Sequence, residues 1–150
     1  MSGSALVGLR QAAQGVTVYV TCTAALARRS PATVAAAVEL VRRMAPGAKE
    51  IVAPGGLAGQ HRGRLAVKVN RQGAAHPRVL LLLVEPEGDL GCSTAAEWQA
   101  FAEAGLPRFV LFLGGRGLVD GAALHFDPAP ADTATAQNAG RLVFVEEVRA

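Results

Sequence analysis

The chain has 150 residues, 51% of them hydrophobic but only 5% aromatic, with 15 Lys and Arg against 12 Asp and Glu for a net charge of +3. That is enough chain for one core-bearing domain over residues 1–150 and far too apolar for a disordered segment. Two cysteines, Cys22 and Cys92, are too few for a disulfide framework, so a reducing, cytoplasmic setting is expected.

Met1 to Gln14 lacks the charged stretch and continuous apolar core of a secretion signal, and no apolar run approaches the roughly 20 residues of a membrane span. No membrane partner is expected. Ser4 to Gln14 has a weak helical pattern that pattern alone does not settle. Val16 to Cys22, VTVYVTC, is dense in β-branched and aromatic residues and predicts the first strand. Thr23 to Arg29 reads as a polar, basic connection. Ser30 then caps a helix that starts with Pro31, where the missing amide costs nothing. Val34, Val38, Val41 and Ala45 form its buried stripe, and Pro46-Gly47 ends it.

Lys49 to Ala53 predicts a short second strand, and Pro54 to Gly63 a flexible basic loop. Arg64 to Asn70 fits a short strand or a helical turn equally well. Val79 to Val84 is an unbroken Val/Leu run, as in a strand covered on both faces. Pro86, Gly88 and Gly91 mark a turn, and Ser93 or Thr94 offers a hydroxyl to the free amides of a new helix. Trp98, Phe101, Ala102 and Gly105 recur at helical spacing, and Gly105 and Pro107 stop the helix. Arg108 to Leu113 is a further strand, Ala122 to Phe126 a minor one, Asp127 to Gly140 an excursion, and Arg141 to Val145 the last strand.

This alternation predicts an α/β fold: a flavodoxin-like, Rossmannoid three-layer domain with a mostly parallel five-stranded sheet. In the order 2-1-3-4-5 the carboxyl ends of the first and third strands flank the point where ligands bind. The loop after Tyr19 to Cys22 and the turn from Glu85 to Glu97 are therefore expected to line one crevice. Gly91, Ser93 and Thr94 present small residues and free amides there. Glu97, three residues after Thr94, either points into the crevice or closes a capping box by returning to the Thr94 amide.

The run from Gly91 through Thr94, Glu97 and Trp98 to Gly105-Leu106-Pro107, followed by an apolar strand, resembles the signature of the nucleoside 2-deoxyribosyltransferase family and related nucleotide N-glycosidases. The Val18-Tyr19-Val20-Thr21-Cys22-Thr23 stretch resembles that family's first strand, with its Tyr and following turn. The two stretches cover about a quarter of the chain. The resemblance implies an enzyme whose nucleophile is Glu97, with Tyr19 orienting the carboxylate. Thr23, Gly91, Ser93 and Thr94 would bind sugar or phosphate oxygens, and Asp89 lies near the turn without aligning to the family's second acid. Arg64 to Arg78 contains no acid where the family usually places one, and Cys22 stands where Gly is usual. A catalytically inactive nucleotide-binding module of the same fold is the alternative. The phosphoribohydrolase turn is matched less completely.

A small-molecule nucleoside or nucleotide, a homo-oligomer and no cofactor are what the resemblance implies. The basic segment His61, Arg62, Arg64, Lys68 and Arg71 suits a 5′-phosphate, a nucleic-acid backbone or plain solvent, and it lacks the interleaved aromatics of single-strand binders. His61, His76 and His125 share no ligand spacing with the cysteines, so no metal is expected.

Overall fold

A computed structural model describes residues 4–54, 64–85, 91–113, 122–127 and 141–144. In chain order these form α1 (Ser4–Ala13), β1 (Thr17–Thr21), α2 (Ala24–Arg29), α3 (Pro31–Met44), β2 (Glu50–Val52), α4 (Arg64–Gln72), a 3₁₀ turn (Gly73–Ala75), β3 (Arg78–Val84), α5 (Gly91–Glu103), β4 (Arg108–Leu113), β5 (Ala122–Asp127) and β6 (Arg141–Phe144). The strands join one sheet in the order β2-β1-β3-β4-β5-β6. The four pairings from β2 to β5 are parallel, and β6 runs antiparallel to β5. The fold is α/β and Rossmann-like with a mostly parallel sheet.

Strand alternation sorts the core into two layers. Val18, Val20, Val79, Leu81, Leu83, Phe109, Leu111, Leu113, Leu124 and Phe126 pack with the apolar stripes of α1, α2 and α3. Tyr19 and Leu80 meet Ala66 and Val69 of α4 and Ala100 and Phe101 of α5, while Val110 and Phe112 meet Trp98. Val79 to Leu83 are each 0–1% exposed, so every one of these side chains contributes roughly 1.5–3 kcal/mol of burial.

Five strands are expected from the sequence, and six are found among the described residues. The two at the far edge, β5 on the buried β4 and β6 antiparallel on β5, coincide with the minor strand and the last strand marked in the sequence, so the five-stranded count falls one short of the elements themselves. The unsettled start is a helix because Ala5, Leu9 and Ala13, four residues apart, are all buried. The expected connection at Thr23 to Arg29 is instead the helix α2. Its first turn is capped by the Thr23 hydroxyl, which accepts from the Leu26 amide at 3.1 Å. Ser30 makes no side-chain cap for α3, since the same residue closes α2 through its amide and sits at φ −136°, ψ 59°. Its expected capping role is replaced by Pro31 at the first helical position.

Arg64 to Asn70 belongs to a helix, because Ala66 and Val69 are buried at three-residue spacing. At the end of α5, Gly105 adopts φ 71°, the Leu106 amide donates to the Phe101 carbonyl at 2.9 Å, and the Gly105 amide donates to Ala102 at 3.0 Å. That left-handed stop is the one its Gly and Pro spell out. The loop predicted from Pro54 to Gly63 and the excursion predicted from Asp127 to Gly140 lie, apart from their first residues, outside the described residues. Among those described, no helix is long and apolar enough to cross a membrane.

Candidate functional site

β1 and β3 lie side by side in the sheet, with Tyr19 opposite Leu80 and Thr21 opposite Leu82. Strands leave β1 in opposite sequence directions, β2 on one side and β3 on the other. The carboxyl ends of β1 and β3 therefore flank the switch point of the sheet, where α/β folds place ligands.

The helix α5 enters at this edge and packs a stripe of residues against the last turn of β1. Thr94, 1% exposed, donates its hydroxyl to the Cys22 carbonyl at 3.2 Å. One helical turn on, Glu97 accepts from the Thr21 hydroxyl at 2.7 Å, a buried bond spanning 76 residues. A further turn on, the Phe101 ring meets the Tyr19 ring edge-on with centroids 6.5 Å apart. The spacing of 94, 97 and 101 is one face of a helix, and it runs down β1 past Cys22, Thr21 and Tyr19. Two segments far apart in sequence thus meet through hydroxyl bonds that satisfy a strand-end carbonyl and a carboxylate otherwise expensive to bury.

This geometry removes the capping-box alternative. α5 begins at Gly91, so Thr94 already lies within the helix, and its hydroxyl is turned to β1 rather than to a free amide of its own first turn. Glu97, 8% exposed, is engaged across the sheet.

Of the residues singled out from sequence, Glu97 and Thr94 are brought together at the end of β1. Tyr19 shares their face, but its hydroxyl accepts from Lys68 Nζ at 3.4 Å, towards α4. The hydroxyl on Glu97 is that of Thr21, a residue the sequence reading missed. The available signal was strand alternation: Thr21 is two residues after Tyr19 and so faces the same helices. Thr23 follows at the strand tip with its oxygen engaged in capping α2. Gly91 and Ser93 contribute the backbone of the first turn of α5, and Asp89 lies outside the described residues. On the rim, Arg29 at the end of α2 pairs with Glu85, the residue after β3. Cys22 is fully buried.

No family model, no curated protein and no solved structure matches this chain. The chemistry of the arrangement itself then carries the reading. A buried carboxylate with one oxygen fixed by a short hydroxyl bond has its direction set before any ligand arrives, which is what a nucleophile or an acid–base group requires.

Proposed function

We propose that the chain cleaves or transfers at the N-glycosidic bond of a (deoxy)nucleoside or nucleoside monophosphate, with Glu97 as the nucleophile. The observation that carries this is the Thr21 hydroxyl on the Glu97 carboxylate at the carboxyl edge of β1, beside the β1/β3 switch point. In the proposed step a Glu97 oxygen bonds to the anomeric carbon as the bond to the base breaks. The base leaves with the bonding pair and takes up a proton. Water or a second base then displaces the carboxylate. Thr21 is the positioning residue, replacing Tyr19 in the role the family resemblance suggests. Thr23 and Ser93 are the residues that would meet sugar or phosphate oxygens in this reading, and no cofactor enters.

The same reading takes the fold as flavodoxin-like and the working unit as a homo-oligomer in the cytoplasm. Light scattering on the purified chain checks the assembly. Incubation with a panel of nucleosides and monophosphates, with and without acceptor bases, tests the activity. Free base or exchanged nucleoside is expected from the wild type, and none from Glu97→Gln.

A second reading, an inactive nucleotide-binding module, is favoured by one observation: Arg64 to Arg78 supplies no acid to hold sugar hydroxyls. It predicts that nucleotides raise the unfolding temperature while no product forms.

A further inference from the structure

At the opposite, amino edge of the same strands lies a hollow of about 410 Å³ that Glu97 does not touch. It opens where β1 and β3 begin, between Gly15 to Thr17, Pro77 and the last turns of α4. Lys49, Lys68, His76 and Arg78 line it, with no Asp or Glu among the described lining residues. The ion pairs found among the described residues, Arg29 with Glu85 and Arg42 with Glu39, leave these four residues out.

The floor is built. Arg78 is only 4% exposed, a burial that a guanidinium tolerates when its charge is answered. Its Nε donates to the His76 carbonyl at 2.8 Å and its Nη2 to the Gly73 carbonyl at 3.1 Å. Those bonds tie the 3₁₀ turn to the start of β3 but supply no counter-charge. Nη1 is buried with no partner among the described residues, and so is Gln72 Oε1 in the same lining. Lys68 and Lys49, in the same lining, are exposed, and the Tyr19 hydroxyl, accepting from Lys68, keeps its own proton to give.

We propose that this amino-edge hollow binds a small molecule carrying two or more anionic groups, phosphate or carboxylate, at a site separate from Glu97. A guanidinium and two ammonium groups lining one hollow, with no carboxylate among the described lining residues, make a field of one sign in a concave, partly desolvated place, and it attracts the charge that the protein leaves out. The volume suits a small organic anion rather than a macromolecule.

The test titrates the wild-type chain with pyrophosphate, citrate and single inorganic phosphate in low salt, followed by calorimetry and by thermal unfolding. Saturable binding of pyrophosphate or citrate is expected, tighter than single phosphate and weakening as salt rises; which of the two binds more tightly separates a phosphate from a carboxylate ligand. Lys49→Ala and Lys68→Ala, both at exposed positions, should each weaken that binding roughly tenfold. Glu97→Gln should leave it unchanged. Absence of saturable binding, binding indifferent to both lysine variants, binding lost in Glu97→Gln, or capture of single-stranded oligonucleotides without pyrophosphate or citrate would each overturn the proposal.

Discussion

The two ends of β1 use polar side chains in opposite ways. At the carboxyl end, the polar groups answer one another: a hydroxyl on a carboxylate and a hydroxyl on a carbonyl, both buried. At the amino end, Lys49, Lys68 and Arg78 gather around a hollow without an acidic neighbour in its described lining, and a guanidinium nitrogen and an amide oxygen are buried without partners among the described residues. A satisfied cluster holds one side chain in a fixed direction, as chemistry needs; an unanswered one stores electrostatic attraction, as binding needs. One strand thus separates the proposed site of reaction from the proposed site of anion binding.

The sharpest way to break this division is Glu97→Gln, which keeps an acceptor for Thr21. Base release should fall on the order of 10⁴-fold, with little change in unfolding temperature. A variant that unfolds while retaining activity would make Glu97 a structural acid.

Arg78→Met comes next. Two carbonyls lose charged donors, so the unfolding free energy should drop by about 3 kcal/mol in urea titrations, and the stabilisation given by pyrophosphate or citrate should vanish with it. Unaltered stability would mean that the buried guanidinium costs as much as its bonds return.

Thr21→Val keeps the shape and removes the hydroxyl. Turnover should fall about 10²-fold through misplacement of the carboxylate, with KM changing less than kcat. Equal effects on both would assign Thr21 to substrate binding.

Smaller effects belong to the rim. Thr23→Ala removes the cap of α2 and should cost about 1 kcal/mol of stability. Arg29→Ala breaks an exposed ion pair and should cost less than about 1 kcal/mol, measurable only at low salt.

Much of the frame was legible because its signals are local. The β-branched run at Val16 to Cys22 marks β1, the Val/Leu run at Val79 to Val84 marks a doubly covered strand, and Gly105 marks the end of α5. Weakly patterned segments were harder. Residues Arg64 to Asn70 read equally as strand or helix until Ala66 and Val69 found a common apolar partner in Leu80 and Phe101. The Thr23 to Arg29 segment looked like a connection because its polar termini mask a single capped helical turn and a half.

The candidate site divides along the same line. Composition and periodicity by themselves determined an α/β chain, the helix bearing Glu97 and the strand bearing Tyr19, because such patterns depend on neighbours within a few residues. Only the tertiary structure decided that Thr21 rather than Tyr19 meets the carboxylate, that Thr94 reaches Cys22, and that Arg78 is buried beside two lysines. Those relations join residues separated by up to 76 positions, and they arise from the register of β1 against β3 and the descent of α5 across it, quantities that no local pattern contains.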